Sequence, residues 1–361
     1  MNGRTNVTGG NANGLQIPLD PCTNLRAGAG NGSVSLCWDD PVDKYATPAG
    51  EQAQDPQPLI SVWDHTVLVR KTGSQPTGPH DGTTVVSSSV RNRYQSTPYT
   101  DTGLINGTDY HYGAFAYNTA GLASGGIFTN ATPVVGTPLG NQAVGTLVKT
   151  PINGTPTEFI VVHQGQGLAI YDDSCDGTWL LLKDIYTTRM WDNSNNDYRN
   201  SSIHSYLNET FLNLFDANIK NAIKQVKIPY HNGDGTEGPV ANGANGLSCK
   251  IFLLSGCEVG LTLGDSDFPC DGSTLSYFSS GTGSAANNKR IANYNNSAAI
   301  WWLRSPYIGK HNDVLGVHDD GRYYRGSNSN YNGVRPALIL PSDILIDSEM
   351  NILAPVGKIA A

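Results

Sequence analysis

The sequence carries little charge, and its basic residues are scattered. Of its 361 residues, 15% are charged, and 23 Lys or Arg stand against 31 Asp or Glu, which gives a formal net charge of −8. Nucleic-acid binding requires a clustered basic surface that neutralises phosphates, and attraction to an anionic membrane has the same requirement. The composition therefore argues against both kinds of partner.

Long apolar runs are also missing. No stretch approaches the roughly 20 apolar residues that a membrane-spanning helix needs. The N-terminal stretch, MNGRTNVTGGNANGLQIP, lacks the apolar core of a secretory signal peptide. We therefore expect a chain that is neither exported by a standard signal nor inserted into a membrane.

The cysteines lack the spacing of a metal site. They are widely separated, with no C-x-x-C pair and no histidine at zinc-ligand spacing. An even count permits disulfides, and the first two cysteines could lie on neighbouring strands, but a chain made without a signal peptide is normally kept reduced. We therefore expect buried free thiols at Cys22, Cys37, Cys175, Cys249, Cys257 and Cys270.

Turn-forming residues are abundant. The chain has 41 Gly and 20 Pro, together with many Asn, Ser and Thr, which is typical of short strands joined by turns. The predicted fold is mainly β, with an α+β C-terminal domain. We expect a flexible arm over residues 1–16, a β-sandwich over 17–133, a Gly/Pro-rich linker over 134–145 and a binding domain over 146–361.

The first domain has the alternation of sandwich strands. Val34, Leu36 and Trp38 share one face at period two, and Leu104 lies six residues before Tyr110. With Trp38 in the second strand, this pattern resembles a fibronectin type III domain over about 115 residues. The resemblance implies an immunoglobulin-like sandwich with a tyrosine corner, and it says little about ligand chemistry.

The second domain combines strands with the clearest helical pattern of the chain. Apolar residues recur at three- and four-residue steps between Ile203 and Ile223, with Ser201 or Ser202 available as the N-cap. The ordered motifs SSIHSYLNETF, IFLLSGCEVGL, WWLRSP and GVRPALIL resemble a C-type-lectin-like module of prophage and gut-bacterial proteins, distantly akin to formylglycine-generating-enzyme folds. The resemblance covers about 200 residues. It implies a ligand-facing segment before the closing strand, which diversity-generating retroelements of phages vary in some members.

A polar segment rich in Asn, Tyr and Ser lies between apolar anchors at 301–303 and 334–340. Rigid tyrosine rings beside short hydrogen-bonding side chains are the mixture that antibody paratopes use. The alternative is a solvated, hairpin-rich loop, since Gly, Asn, Ser and Asp also suit tight turns, but turns do not need tyrosines. The candidate ligand-binding residues are Tyr307, His311, Asn312, Asp313, His318, Asp319, Tyr323, Tyr324, Ser327, Asn328, Ser329, Asn330, Tyr331 and Asn332.

One acidic loop raises the question of calcium. GDSDFPCDG supplies Asp265, Asp267 and Asp271 within seven residues, and such spacing can form an oxygen cage. The order does not match an EF-hand loop, and acidic residues in Gly-rich loops usually cap turns or face water. We therefore expect no metal and no other cofactor, with these three residues as weak calcium candidates.

The residues do not predict catalysis. Cys249 and Cys257 lie in or beside an apolar strand, where an inert buried thiol is the usual state. The eight histidines are scattered, and no Ser/His/Asp constellation has a recognisable local context. At least one of Trp301 and Trp302 is expected to pack beneath the polar segment.

Together these features predict a phage virion protein, tail- or capsid-associated, that binds a host cell-surface protein or glycan through its second domain. It would be made in the bacterial cytoplasm, join other virion proteins through its arm and form a homo-oligomer whose repeated sites give avidity. The leading alternative is a bacterial surface or secreted glycan-binding protein. An enzyme with a binding accessory and a purely structural role stay open as further alternatives.

Overall fold

The computed structural model describes residues 17–45, 59–165, 169–233, 239–261, 268, 270–279 and 283–353. The chain divides into two compact units between Val134 and Val135. Strands dominate in both, which confirms the prediction of a mainly β protein. The predicted arm over 1–16 lies outside the described residues. None of the described helices is long and apolar enough to cross a membrane.

The first unit is built from antiparallel strands. Its strands are β1 (Thr23–Gly30), β2 (Ser33–Asp39), β3 (Lys44–Tyr45), β4 (Leu59–Ser61), β5 (Trp63–Thr72), β6 (Thr83–Ser88), β7 (Tyr99–Thr102), β8 (Tyr110–Asn118) and β9 (Ile127–Ala131). Among the described residues, one sheet has the order β1-β2-β7 and another has the order β6-β5-β8-β9, while β3 and β4 form a separate pair. Both larger sheets contribute to one apolar core.

The core of this unit follows the alternation seen in the sequence. Val34 and Leu36 of β2 are fully buried, and Trp38 is 1% exposed. At the start of β8, the hydroxyl of Tyr110 accepts a hydrogen bond of 3.1 Å from the backbone N–H of Ile105. This bond ties the chain before β8 to the core, as a buried tyrosine hydroxyl requires a partner.

The second unit contains two larger sheets. Its strands are β10 (Thr137–Pro138), β11 (Leu147–Ile152), β12 (Thr155–Gln164), β13 (Thr178–Leu182), β14 (Thr187–Arg189), β15 (Val226–Ile228), β16 (Leu247–Cys249), β17 (Ile251–Phe252), β18 (Asn293–Tyr294), β19 (Ser297–Ala298), β20 (Trp301–Pro306), β21 (Asp313–Val317), β22 (Tyr323–Ser327), β23 (Asn332–Val334), β24 (Ala337–Leu340), β25 (Leu345–Ile346) and β26 (Ile352–Leu353). In the part of the chain described, two five-stranded sheets have the orders β11-β12-β13-β24-β17 and β14-β23-β20-β21-β22.

The predicted helical region is present as a series of short helices. They are α1 (Ser202–Ser205), a π-helical turn (Tyr206–Thr210), a 3₁₀ turn (Phe211–Leu214) and α2 (Ala217–Ala222). Ser201 caps α1, because its hydroxyl accepts a hydrogen bond of 3.2 Å from the N–H of His204. A later helix, α3 (Ser284–Arg290), was not predicted from the sequence.

Of the predicted linker over 134–145, residues 135–145 belong to the second unit. Thr137–Pro138 pairs with Leu345–Ile346, and the N–H of Leu139 donates to the carbonyl of Ile344 at 2.6 Å. Leu139 is fully buried. The Gly/Pro composition indicated an open connection, but one apolar side chain anchors the segment in the core.

The expectation of free thiols is wrong for two of the six cysteines. Cys257 and Cys270 form a disulfide, with their Cα atoms 5.6 Å apart. The neighbouring residues Glu258 and Asp271 both contact the buried Arg304, which draws the two cysteines together. The other four, which are buried and free as predicted, are Cys22, Cys37, Cys175 and Cys249.

Candidate ligand-binding surface

The polar segment 307–332 is supported by two tryptophans on β20. Trp301 and Trp302 are fully buried. Their indole N–H groups donate hydrogen bonds of 2.9 Å to the carbonyls of Arg290 and Arg189, respectively. The ring of Trp302 lies 6.2 Å from that of Tyr324 in the segment, whereas the ring of Trp301 lies under the guanidinium of Arg335. At least one of the two therefore packs beneath the segment, as predicted, and both are buried.

A buried ion network follows on the same strand. The guanidinium of Arg304 contacts both carboxylate oxygens of Glu258 at 2.5 and 2.7 Å, and all of these groups are fully buried. Arg304 also donates to the backbone carbonyl of Asp271 at 2.6 Å, and Ser305 donates to the Asp271 carboxylate at 2.7 Å. Tyr171 completes the network with a hydrogen bond of 2.9 Å to Glu258. Such a network fixes one arrangement of the loops that contribute to it.

Strands β21 and β22 form an antiparallel hairpin at the edge of the second sheet. Asp313 pairs with Ser327, and Val317 pairs with Tyr323. The four residues from Val314 to Val317 are buried, so β21 is a core strand. The edge strand β22 is only partly covered. The accessible part of the hairpin is therefore formed by the side chains of β22 and by the turns that join β22 to β21 and to β23.

Two of the candidate residues are engaged in supporting contacts on this hairpin. Both Nε and Nη2 of Arg325 lie 2.8 Å from one carboxylate oxygen of Asp313. The same guanidinium lies 3.6 Å from the ring centre of Tyr307, which packs against Phe268. Asp313 and Tyr307 are therefore committed to internal contacts and shape the surface from below.

Asn328 is not an exposed contact residue, contrary to the sequence prediction. It is 3% exposed, and its amide donates to the carbonyl of Asn195 at 2.7 Å. Its backbone N–H donates to the carbonyl of Asn312 at 2.8 Å. A short amide that bridges turns is expected to be buried wherever the turns meet, and composition alone does not distinguish this role from exposure.

Tyr324 lies between the core and the surface. Its half-buried ring packs near Trp302 and His318, and its hydroxyl accepts a hydrogen bond of 3.1 Å from the amide of Asn330. Asn332 is half-buried on β23, where it pairs with Arg189 of β14. These residues can present polar atoms at the surface while their positions are fixed by neighbours.

The remaining candidates are exposed or half-exposed, and they fall at the two ends of the hairpin. Tyr323, 54% exposed, lies at one end with His318 and Asp319. Tyr331, 68% exposed, lies near the other end. The others at that second end are His311, Asn312, Ser327, Ser329 and Asn330. The length of β21 separates the two ends by roughly 13 Å, at about 3.3 Å per residue.

The described residues bring one group of possible metal ligands together. His318, Asp319 and Asp320 place one ligand atom each within 4.8 Å of the others. Asp320 already accepts a hydrogen bond of 2.7 Å from Arg322, and this bond lowers the pKa of the Asp320 carboxyl to about 2. The cluster lies in a solvent-facing turn, where acidic side chains are common without a bound cation.

The three calcium candidates of the sequence do not form a described cage. Asp265 and Asp267 lie outside the described residues. Asp271 is fully buried, and burial raises the pKa of its carboxyl to about 6 although Arg304 and Ser305 favour the charged form. Asp271 belongs to the Arg304 network, so its role in the structure is that of an internal partner.

The cysteines considered for catalysis offer no accessible thiolate. Burial raises the pKa of the Cys249 thiol well above its usual range. Cys257 is bonded to Cys270. Because the thiolate is the nucleophilic form, neither residue is poised for attack on a substrate.

The sequence analysis did not predict a groove between the β11–β12 hairpin and the segment that joins β13 to β14. It has a volume of about 460 Å³, and its lining includes Glu158, Lys183, Asp184 and Tyr186. The signal available in the sequence was the abrupt change from the apolar run TWLLL to the mixed segment KDIY. The facing wall comes from the β11–β12 hairpin, earlier in the chain, so this change alone could not reveal the groove.

Comparison with known proteins finds a family model within the second unit and a remote likeness to a solved structure. Residues 176–342 match a family model described as a domain of unknown function (DUF6273). No curated protein matches the chain. Among solved structures, SusE-like protein BT2857 is 11% identical, with 89% of this chain and 97% of that chain covered, at a TM-score of 0.20. Likeness at this level carries no argument about fold or function, whereas the family match places residues 307–332 within a segment shared with other proteins.

Proposed function

We propose that this protein is an adhesin that binds a host-surface protein or glycan through the exposed ends of the β21–β22 hairpin. The observation that carries the proposal is the exposure of Tyr323 on the β21–β22 hairpin and of Tyr331 just after it. The hairpin pairs with β20, which carries the buried Trp301 and Trp302. Tyrosine supplies a large contact area at low cost in conformational entropy, and a rigid support reduces the entropy lost on binding.

The architecture of the first unit supports a spacer role. A three-stranded and a four-stranded antiparallel sheet share one core, and the Tyr110 hydroxyl bonds to the backbone five residues upstream. Both features support assignment to the fibronectin type III class, in which a tyrosine corner bonds in this way. Such a domain separates a binding module from its anchor without contributing ligand chemistry.

The second unit is proposed to be a C-type-lectin-like binding module. In support, the polar segment lies between two buried strands, β20 and β24, and its exposed positions can change without loss of the core. We propose a phage virion as the setting, with the N-terminal arm joined to other virion proteins and several copies per particle. Repeated copies would convert weak single-site binding into avidity.

The alternative of a bacterial surface or secreted glycan-binding protein has one observation in its favour. The Cys257–Cys270 disulfide is the kind of bond that persists outside a reducing cytoplasm. A virion surface is also such an environment, so the bond favours exposure to an oxidising medium in either setting. Detection of the protein in purified phage particles supports the first setting, and detection only in a cell-wall or secreted fraction supports the second.

Population sequencing of the gene tests the proposed diversification. We expect substitutions at adenine-bearing codons of exposed positions such as Asn312, Tyr323 and Tyr331, with Asn328 and Trp302 unchanged because they are buried. Substitutions spread evenly over buried and exposed codons, or an invariant segment beside silently drifting neighbours, would contradict diversification and leave a fixed ligand as the better account.

A further inference from the structure

The groove between the β11–β12 hairpin and the segment that joins β13 to β14 has the size of a small-molecule site. Its volume of about 460 Å³ lies within the range of about 300–1,000 Å³ that is usual for such sites. One wall is the β11–β12 hairpin, which contributes Lys149 and Glu158. The other wall is the segment between β13 and β14, which contributes Lys183, Asp184 and Tyr186.

Charges in the groove are balanced. The lining includes two lysines, Lys149 and Lys183, and two acidic residues, Glu158 and Asp184. Lys183 lies 2.6 Å from Glu158, and Lys149 is the cross-strand neighbour of Glu158. A phosphate or another polyanion therefore finds no net attraction here. Hydroxyl groups both donate and accept hydrogen bonds, so a polyhydroxylated ligand suits alternating ammonium and carboxylate groups.

Two side chains in the groove are held in place by residues outside it. One carboxylate oxygen of Asp184 accepts hydrogen bonds from the backbone N–H and the amide of Asn293, at 3.0 and 3.2 Å. Tyr186 is half-buried, and its ring packs edge-on against Phe211 at 4.9 Å between ring centres. An aromatic ring fixed beside hydrogen-bonding groups can pack against the C–H faces of a sugar.

Hydrogen bonds from Arg335 and from neighbouring strands hold the segment between β13 and β14 in place. The buried guanidinium of Arg335 donates hydrogen bonds of 2.8 Å to two successive carbonyls, those of Leu182 and Lys183. The N–H of Ile185 donates to Asn293 at 2.9 Å, and the N–H of Tyr186 is also bonded to the adjacent strand. A site whose backbone is fixed before binding loses less entropy when the ligand arrives.

We propose that this groove binds a neutral saccharide unit, at a site separate from the hairpin surface. Strands β14 and β22 are the opposite edges of one five-stranded sheet, and four strand spacings of about 4.8 Å place them roughly 19 Å apart. The groove lies beside the β14 edge, whereas the hairpin forms the β22 edge. The proposal therefore goes beyond the adhesin function and does not depend on it.

The test is a ligand-observed NMR titration of the full chain with glucose, galactose, N-acetylglucosamine and lactose, and with the acidic sugar N-acetylneuraminate. At least one neutral sugar is expected to bind in the millimolar range, more tightly than the acidic one. The double variant Glu158→Gln/Asp184→Asn should weaken binding about tenfold or more, because hydrogen bonds to charged groups are lost. Glu209→Gln, an exposed carboxylate outside the groove, is the matched control and should leave binding unchanged.

The hairpin variants distinguish this site from the adhesin surface. Replacement of Tyr323 and Tyr331 by Ala should leave saccharide binding intact even where it abolishes attachment to cells. Tyr186→Phe retains the packing against Phe211 and should retain most of the binding, so it serves as a check that the groove is folded. Absence of binding by every neutral sugar, equal binding of the acidic sugar, or binding that the double variant does not change would each overturn the proposal.

Discussion

Removal of the buried arginine at the centre of the second unit should be strongly destabilising. Arg304 is fully buried, as are the carboxylates of Glu258 and Asp271 beside it. Arg304→Met keeps much of the side-chain volume but leaves two carboxylates buried without a cation. Breaking a buried pair in this way costs about 3–5 kcal/mol, because the remaining charge is not compensated.

Arg325→Met provides the matched control. It removes an arginine from the same sheet and breaks a contact with Asp313, but the Arg325 side chain is 30% exposed. Water can replace the lost partner, so we expect a loss of about 0–1 kcal/mol in the free energy of unfolding. The comparison separates the effect of burial from the effect of losing an arginine.

Urea unfolding followed by tryptophan fluorescence measures both losses. Four of the six tryptophans lie in the second unit, namely Trp179, Trp191, Trp301 and Trp302. The fluorescence signal therefore reports mainly on that unit. A loss below about 1 kcal/mol for Arg304→Met, or equal losses for the two variants, would refute the assignment of Arg304 as the cation that compensates the buried carboxylates of Glu258 and Asp271.

Three further predictions concern the neighbours of Arg304 and the role of metals. Burial raises the pKa of Asp271 to about 6, so its ionisation opposes folding: wild type should lose stability relative to Asp271→Asn as pH rises from about 4 to about 6, and parallel pH profiles would contradict this. Replacement of Cys257 and Cys270 by Ser should lower the free energy of unfolding by about 3 kcal/mol under oxidising conditions, and an unchanged value would exclude a closed bond. Attachment to cells should survive EDTA, because Asp271 is committed to Arg304; loss that calcium reverses would point instead to a metal site such as the turn at His318.

The parts of the fold that follow local periodicity were predictable. Alternation in β2 placed Val34, Leu36 and Trp38 on the buried face, and the three- and four-residue steps between Ile203 and Ile223 identified the helical region. In both cases neighbouring residues along the chain carry the whole signal. The short, broken character of those helices was not visible, because tertiary packing sets where each one ends.

Long-range contacts were not predictable from one sequence. Glu258 and Asp271 meet Arg304 across 46 and 33 residues, and nothing in their local context indicates that partner. The same limit explains the missed disulfide. Asn328 was assigned to the surface because polar turn residues usually face water, whereas its contacts with two other turns bury it. The groove was missed because one wall is the β11–β12 hairpin and the other is the segment between β13 and β14, which follows later in the chain.

The most direct test of the adhesin proposal is the binding isotherm of the labelled protein on host cells. Tyr323→Ala/Tyr331→Ala should weaken binding at least tenfold, since truncation of an aromatic anchor typically costs about 1–2 kcal/mol or more. Tyr45→Ala, which removes a tyrosine of similar exposure (53%) from the first unit, should leave the isotherm unchanged. An isotherm for the double variant that coincides with wild type, or an equal loss for Tyr45→Ala, would contradict the assignment of the hairpin as the ligand-binding surface.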